Sequence, residues 1–240
     1  MLLRVESNGS HRHRRVTSSA HRPLTHGVRS PSRSKARVPE ISTHDIDDRR
    51  ALRVALRRLR MAVSAIERQR ATRAIGRYLA ATHWLRPGTR VGIYAALTEE
   101  IDTGPLIALA QSRGCEVLLP RITAMRSRRM TFTTIGPRHR LNALGIPEPA
   151  SAHRVAARWL HVILMPLVGF DVQGNRLGMG AGFYDRALAF RSYRRSWRGP
   201  RLVGLAYAIQ KLPHIAAQPH DIPLDAVLTE HGLHTFRGHR

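Results

Sequence analysis

Short apolar runs alternate with helical segments after Pro87, and this alternation restricts the fold more than any other feature of the chain. The run RVGIYAAL at 90–97 precedes a helical segment with Gly114 at its end, and the run CEVLLP at 115–120 follows. Strand, helix and strand at this spacing predict a βαβ unit. Further apolar runs are MTFTT, HVILMPLVGF, RLVGLAY and DAVLT, with a helix predicted at YDRALAFRSY. We therefore expect an α/β fold in three layers, a mostly parallel sheet with helices on both faces.

Two amphipathic helices are predicted before the first strand. In DDRRALRVALRRLRMAVS, acidic residues occupy the first turn, arginines cover the polar faces, and one face carries Leu52, Leu56, Leu59 and Val63. Ser64 and Glu67 have the spacing of a capping box, which predicts a second helix through about Ala81. The positions expected to face inward in this second helix are Ala71, Ile75, Tyr78 and Leu79.

Residues 1–46 differ in composition from the rest of the chain. They contain nine Lys or Arg against Glu6, Glu40 and Asp45, and no periodic apolar positions, which is typical of disorder. Three interpretations stay open, in this order of preference: a start codon chosen too far upstream, a solvated tail, and a targeting segment. A single domain is predicted over 47–240.

The formal net charge of +24 is typical of proteins that bind nucleic acid. However, only two of the 40 basic residues are lysine, Lys35 and Lys211, and such a bias toward arginine is equally typical of a GC-rich genome. The sequence has neither an RNP signature nor zinc-finger spacing, so nucleic-acid binding is disfavoured. No apolar run reaches the roughly 18 residues of a membrane span. We therefore expect a soluble protein. Cys115 is the single cysteine and cannot form an internal disulfide, which fits a reducing compartment, and we expect a cytoplasmic location.

The segment NRLGMGAGFYDRAL, residues 175–188, places Gly178, Gly180 and Gly182 between a predicted strand and a predicted helix. Glycine allows close approach of a ligand and exposes backbone N–H donors, which suits an anion such as phosphate. Arg176 would add a guanidinium, and Asp185 would hold the Mg²⁺ that accompanies a nucleoside triphosphate. Since neither a G-x-G-x-x-G nor a Walker A motif is present, an ordinary surface turn is the alternative.

The longer run VILMPLVGFDVQGNRLGMGAGFYDRAL resembles the signature of the 5-formyltetrahydrofolate cyclo-ligase family, also called methenyltetrahydrofolate synthetases. Four further blocks are similar to the family and extend the resemblance over about residues 47–231: RRALRVALRRLR, YAALTEEIDT, LGIPEP and VGLAYAIQKLPHIAAQPHDIPLDAVLTE. The resemblance implies a NagB/RpiA/CoA-transferase-like fold. It also implies conversion of 5-formyltetrahydrofolate to 5,10-methenyltetrahydrofolate by a monomer that uses ATP and Mg²⁺, with or without a polyglutamate tail on the substrate.

The resemblance also implies roles for individual residues. ATP binding is implied for Arg49, Arg50, Ala51, Leu52 and Arg53 and for the loop Arg176, Leu177, Gly178, Met179, Gly180, Ala181, Gly182, Phe183 and Tyr184. Within these, Arg176 and Tyr184 are the implied catalytic residues. Folate binding is implied for Glu100, Ala95 and the loop from Met179 to Phe183. Asp185 and Asp221 are the implied Mg²⁺ ligands.

Two positions depart from the family pattern. Arg49 stands where many members have lysine, and Ala181 stands where others have glycine or lysine. The Cβ of Ala181 disfavours a positive φ, so we expect a loop conformation that alanine can adopt, with lower ATP affinity as one consequence to test. Two other functions stay open: an ATP-dependent ligase or kinase-like enzyme acting on a non-folate substrate, and an arginine-rich nucleic-acid-binding protein.

Overall fold

A computed structural model of the chain describes residues 48–136, 139–141, 147–149, 153–193 and 199–236. The predictions about residues 1–46, and about most of the LGIPEP block, lie outside the described residues and stay predictions. Five helices are described: α1 Arg49–Ala62, α2 Ala65–Ala80, α3 Gly104–Ser112, α4 Phe183–Leu188 and α5 Phe190–Tyr193. No helix within the described ranges is long and apolar enough to cross a membrane.

The described strands form one large sheet and two small ones. They are β1 Arg90–Ile93, β2 Glu116–Ala124, β3 Arg129–Thr134, β4 His139–Leu141, β5 Pro147–Pro149, β6 Val162–Pro166, β7 Gly169–Phe170, β8 Arg176–Leu177, β9 Arg201–Leu205, β10 Ala226–Thr229 and β11 Gly232–Thr235. The seven-stranded sheet has the order β11-β10-β9-β6-β1-β2-β3. Strands β10, β9, β6, β1 and β2 pair in parallel, and the edge strands β11 and β3 are antiparallel. The predicted mostly parallel sheet is confirmed.

Helices cover both faces of this sheet. Successive residues on each strand point to opposite sides, so each strand contributes side chains to two cores. Val91 and Leu164 belong to the core that packs against α2 and α3. Ile163, Met165 and Leu202 point the other way, into a second core that contains Leu188 of α4. This arrangement explains why the strands read as nearly continuous apolar runs, and it confirms the three-layer α/β architecture.

The helix predictions are mostly confirmed, with two corrections. The Ser64–Glu67 capping box is present, with Ser64 N–H donating to Glu67 Oε2 at 2.9 Å. The expectation of acids inside the first turn of α1 is wrong, because Asp48 is the N-cap and its carboxylate accepts from Arg50 N–H at 2.8 Å. The segment YDRALAFRSY is not one helix, since a turn at Ala189 separates α4 from α5. The segment contains neither glycine nor proline, so nothing in its sequence explains the break.

Helix α1 lies over the polypeptide that follows β6. Leu52 and Leu56 form a third apolar cluster with Val168, Leu177, Leu212 and Ile215. The contact is close, because a Cβ at Gly169 would lie 2.7 Å from Leu56 Cδ1. In open α/β sheets, ligands bind beyond the carboxyl ends of the strands, and residue 168 lies just beyond the end of β6. The packing therefore brings the basic helix α1 to the expected binding edge.

Candidate active site

Asp171 fixes the turn that leads into the glycine loop. Its side chain is fully buried, and its carboxylate accepts hydrogen bonds from the backbone N–H groups of Gln173, Asn175 and Ile215 at 2.9–3.0 Å. Gly174 completes the turn at φ +88°, a left-handed conformation that favours glycine. A Cβ at this position would also lie 2.8 Å from the ring of Phe236. The segment DVQG is therefore a rigid turn between β7 and β8, and it determines where Arg176 begins β8.

Arg176 is held between the glycine loop and α4. Its side chain is 5% exposed, its Nη2 donates to Asp185 Oδ1 at 2.6 Å, and its Cζ lies 5.8 Å from the centre of the Tyr184 ring. A Cβ at Gly178 would lie 3.0 Å from Arg176 Nη1, so glycine leaves room for the guanidinium. Among the described residues, buried Arg176 Nε has no hydrogen-bond partner. The site therefore keeps one unused donor on a fixed cation.

The glycine loop adopts left-handed backbone conformations at two positions. Gly180 has φ +96° and Gly182 has φ +70°, whereas Ala181 between them does not have a positive φ. The expected conformation that alanine can adopt at 181 is confirmed. Arg53 of α1 donates its Nε to the Gly178 carbonyl at 2.9 Å. The amino-terminal basic helix and the glycine loop, two separate blocks in the sequence, are thus in direct contact.

A second arginine–aspartate pair lies next to the first. Arg49 Nη1 donates to Asp221 Oδ2 at 2.6 Å and to the Ala216 carbonyl at 2.9 Å. Ile222, the residue after Asp221, points its backbone N–H at Asp185 Oδ1 across 3.5 Å. The structure therefore brings together the basic helix and both aspartates that were predicted to share a metal ion.

The two aspartates fit Mg²⁺ by the chemistry of their donors. Mg²⁺ is usually held in nucleotide sites by one or two carboxylates together with phosphate oxygens and water. Within the described ranges, no group of three or more His, Cys, Asp and Glu side chains is placed to hold a metal ion. Asp185 and Asp221 would therefore supply only part of the coordination, and the nucleotide would supply the rest.

Glu100 is buried, contrary to the usual position of a glutamate. It is 7% exposed, and its Oε2 accepts from Leu97 N–H at 3.1 Å. Arg60 of α1 is 2% exposed and lies between two glutamates, with Nη1 3.4 Å from Glu100 Oε1 and Nη2 3.1 Å from Glu99 Oε1. Burial raises the pKa of Glu100, and the nearby Arg60 charge lowers it in part. The Arg60–Glu100 pair therefore holds a carboxylate in a mostly apolar environment.

Three tyrosines lie around this carboxylate. Tyr207 donates its hydroxyl to the Glu100 carbonyl at 3.1 Å, and Tyr94 donates to the Ile101 carbonyl at 3.4 Å. The Tyr184 hydroxyl is buried and has no partner among the described residues. Burial raises the pKa of Tyr184, which the positive charge of Arg176 lowers and the negative charge of Glu100 raises further. The pKa of Tyr184 is therefore influenced by Arg176 and by Glu100, one charged residue from each predicted part of the site.

Not every predicted binding residue faces this site. Leu52 and Leu177 are 1% and 0% exposed and belong to the apolar cluster under α1, so their side chains support the site from behind. Arg50 is exposed, Ala51 is half-buried on α1, and Ala95 is half-buried just after β1. Their roles as ligand contacts stay predictions.

Sequence reasoning missed Arg60, which was expected on the polar surface of α1. Its position continues the four-residue spacing of Leu52 and Leu56, so it falls on the buried face of the helix. A charged residue on that face requires a partner, and the adjacent acids at 99 and 100 were the available signal. Asp171 lies within the signature, but its role in organising the turn is seen only in its hydrogen bonds.

Comparison with known proteins agrees with this fold and with the family resemblance. Residues 45–230 match the 5-formyltetrahydrofolate cyclo-ligase family. The chain is 35% identical over 145 residues to the Escherichia coli K12 5-formyltetrahydrofolate cyclo-ligase, covering 58% of this chain and 76% of that protein. It is 31% identical over 189 residues to a probable 5-formyltetrahydrofolate cyclo-ligase of Caenorhabditis elegans, covering 75% and 91%.

A solved structure is also similar. The NMR structure of Aquifex aeolicus 5,10-methenyltetrahydrofolate synthetase superposes with a TM-score of 0.68 at 28% identity, covering 80% of this chain and 94% of that chain. The fold and the family match thus define an α/β protein of the methenyltetrahydrofolate synthetase class. The chain belongs to the 5-formyltetrahydrofolate cyclo-ligase family.

Proposed function

We propose that this protein converts 5-formyltetrahydrofolate to 5,10-methenyltetrahydrofolate and uses ATP, with Mg²⁺, to drive the ring closure. The observation that carries the proposal is the convergence of two sets of residues on Tyr184. Arg176, which is paired with Asp185, lies 5.8 Å from the centre of its ring, and the negative charge of the buried Glu100 contributes to raising its pKa. Membership of the cyclo-ligase family supports the same reaction.

The reaction has two bond-forming steps. The formyl oxygen attacks the γ-phosphorus of ATP, the bond from that phosphorus to the β-phosphate bridging oxygen breaks, and ADP leaves. The second folate nitrogen then attacks the former formyl carbon, loses its proton, and expels phosphate as the carbon–oxygen bond breaks. Negative charge moves between phosphate oxygens in both steps, so fixed cations and donors supply most of the stabilisation.

Arg176 is the residue best placed to stabilise that charge. Its guanidinium is nearly sealed from water, which strengthens its interaction with phosphate oxygens, and its Nε donor is unused. Arg53 reaches the same loop from α1, and Arg49 reaches Asp221 from the same helix. Both arginines would contact the other phosphates. The Tyr184 hydroxyl is buried and has no partner among the described residues, so it would donate a hydrogen bond to the reacting oxygen.

Asp185 and Asp221 would hold Mg²⁺ against the phosphates. The bound ion would supply Lewis-acid neutralisation of phosphate charge. In the structure each carboxylate is held by an arginine at 2.6 Å, so the cation competes with a guanidinium for it. Asp185 and Asp221 would then hold the ion, and Arg176 and Arg49 would contact the phosphates of the nucleotide.

Glu100 would hold the pterin ring of the folate. A carboxylate can accept two parallel hydrogen bonds from the amino group and ring N–H of a pterin. Arg60 and Leu97 N–H keep the carboxylate oriented, and the half-buried Ala95 would contact the same ligand. The loop from Met179 to Phe183 would cover the rest of the folate. We also propose that the enzyme is a cytoplasmic monomer.

The direct test is the absorbance of the methenyl product. Purified protein is incubated with 5-formyltetrahydrofolate and Mg-ATP together, with each omitted in turn, and with ADP release measured in parallel. We expect product and ADP in equal amounts and only in the complete mixture. ADP release that does not depend on the folate would contradict the proposal and favour a kinase-like enzyme acting on another substrate.

A further inference from the structure

The turn that joins β2 to β3 lies against the glycine loop. It comprises residues 125–128, and Arg128 N–H donates to the Met125 carbonyl at 3.1 Å. A Cβ added at Gly182 would lie 3.3 Å from Arg128 Nη1 and 3.7 Å from its Cδ. The hairpin therefore brings an arginine from a distant part of the sequence to the last glycine of the loop.

Arg128 has an uncommon backbone conformation. Its φ is +52°, and within the described ranges it is the non-glycine residue with a positive φ. Hairpin loops often contain one left-handed residue, and glycine or asparagine is favoured at such a position. The turn therefore explains the backbone but not the presence of arginine. Because strained residues of this kind cluster at binding and active sites, the Arg128 side chain is a candidate for a functional role.

The Arg128 guanidinium has no acidic partner. The side chain is exposed, and it makes neither an ion pair nor a hydrogen bond within the described ranges. The hairpin cannot supply a local partner, because the sequence has no Asp or Glu between 117 and 147. Exposed arginines are mostly solvated, but this one packs on the loop that is proposed to bind phosphate.

Each of the three glycines in the loop lies next to a guanidinium. Measured from an added Cβ, the distances are 3.0 Å from Gly178 to Arg176 Nη1, 3.5 Å from Gly180 to Arg53 Cζ and 3.3 Å from Gly182 to Arg128 Nη1. Asp185 compensates only Arg176, since Arg53 donates to an uncharged carbonyl. Like charges around one loop repel one another unless an anion lies among them, and a polyphosphate carries several negative charges.

We propose that Arg128 is a third arginine of the nucleotide site and contacts the triphosphate of ATP from the β2–β3 turn. The inference rests on the proposed function and adds a residue to it. The arginine fork matches two phosphate oxygens. Because the guanidinium is exposed, it can turn toward a phosphate without breaking an ion pair, whereas Arg176 is already bound to Asp185.

The test is calorimetric titration with inorganic tripolyphosphate, with Mg-ATP and with 5-formyltetrahydrofolate. R128Q should weaken both phosphate ligands about five- to tenfold, between the loss expected for an exposed ion pair and that for a charge-assisted hydrogen bond. R128K should recover part of the loss, because lysine keeps the charge but not the fork. The matched control is R126Q, the same change at an exposed position of the same turn, which should stay within about twofold of wild type. The affinity for 5-formyltetrahydrofolate should also stay within about twofold in R128Q.

A second variant, R128G, separates binding from folding. Glycine adopts φ +52° without strain, so R128G should unfold at the same urea concentration as wild type or at a higher one. It should nevertheless bind tripolyphosphate as weakly as R128Q does. This combination supports the proposal, whereas a lower urea midpoint in R128G overturns it, because the side chain would then serve to hold the loop in place.

The remaining outcomes are equally decisive. Equal tripolyphosphate affinity in wild type and R128Q overturns the proposal, as does an equal loss in R128Q and R126Q, which would reflect net charge alone. Weaker binding of 5-formyltetrahydrofolate with unchanged tripolyphosphate binding also overturns it. If the wild type forms no methenyl product but the tripolyphosphate affinities follow the expected order, the proposed function has failed and Arg128 remains a phosphate-binding residue.

Discussion

The two halves of the proposed active site hold their charges in different ways. On the nucleotide side, Arg176–Asp185 and Arg49–Asp221 are close one-to-one pairs at 2.6 Å, and the aspartate side chains are 17% and 16% exposed. On the folate side, Arg60 is 2% exposed and is shared between Glu99, 18% exposed, at 3.1 Å and Glu100, 7% exposed, at 3.4 Å.

The difference has a physical consequence. Each aspartate on the nucleotide side has one arginine partner and is partly open to water, so it is able to exchange that partner, which suits a site where a metal ion and phosphates arrive together. On the folate side, removing Arg60 would leave the buried Glu100 carboxylate without its compensating charge, which would be costly. We therefore expect substitutions on the nucleotide side to change ligand binding, and substitutions at Arg60 to change stability as well.

The largest effect is expected for Arg60→Gln. Removing one partner of a buried ion pair typically costs about 3–5 kcal/mol, because the remaining charge is left without compensation. Urea unfolding at neutral pH should show a loss of this size in the free energy of unfolding. The control is Arg58→Gln, the same change on the exposed face of α1, which should stay within about 0.5 kcal/mol of wild type. Equal losses in both variants would contradict the distinction between the two halves.

The loss should also depend on pH. Burial already raises the pKa of Glu100, and removing Arg60 should raise that pKa further. Stability linked to a raised carboxyl pKa is fully present below the unfolded-state value and is lost as pH rises through the folded-state value. The deficit of Arg60→Gln relative to wild type should therefore shrink as the pH is lowered toward about 5. A constant deficit would show that the lost energy comes from packing and not from the Glu100 charge.

The same comparison explains which parts of the site the sequence could predict. The glycine loop and Asp185 are local, because their spacing along the chain already determines their arrangement. The sheet was predictable for a similar reason, since each buried strand is a continuous apolar run. Arg60 and Glu100 are 40 residues apart and meet only through the packing of α1 on the chain after β6. Such a contact depends on tertiary structure, and six arginines within α1 gave little local signal to separate Arg60 from its neighbours.

A crossed pair of substitutions tests whether the two halves bind different substrates. Glu100→Gln should weaken the binding of 5-formyltetrahydrofolate by about 1.5–3 kcal/mol, or roughly tenfold or more in affinity, because a charge-assisted hydrogen bond is lost. The same substitution should leave ATP binding nearly unchanged. Arg176→Ala should do the reverse. Calorimetric titration of each variant with each ligand measures both effects. If Glu100→Gln loses ATP and keeps folate, the two pockets are assigned the wrong way round.

Asp185→Asn tests the exchange of partners proposed for the nucleotide side. The Mg²⁺ concentration needed for half-maximal turnover should rise about tenfold, which corresponds to about 1.4 kcal/mol, since one carboxylate ligand is lost. ATP binding without metal should not weaken, because Arg176 loses its competing partner. Asp225→Asn is the control, as Asp225 is also paired with an arginine, Arg191, at 2.9 Å. An unchanged Mg²⁺ requirement in folded Asp185→Asn would remove this residue from the metal site.

The smallest effect is expected within the glycine loop, where neighbouring positions differ in backbone conformation. Gly182 has φ +70°, a left-handed conformation that costs a residue with a Cβ about 1 kcal/mol or more. In Gly182→Ala we expect a cost of about 1 kcal/mol for holding the loop in the conformation that binds ATP. Ala181 does not have a positive φ, so Ala181→Gly gains no room and adds only flexibility, with a cost of about 0.5 kcal/mol. The KM for ATP should therefore rise about fivefold in the first variant and about twofold in the second. If Ala181→Gly instead lowers the KM for ATP, the Cβ at position 181 obstructs the nucleotide. The alanine, which departs from the family pattern, then weakens ATP binding in this chain.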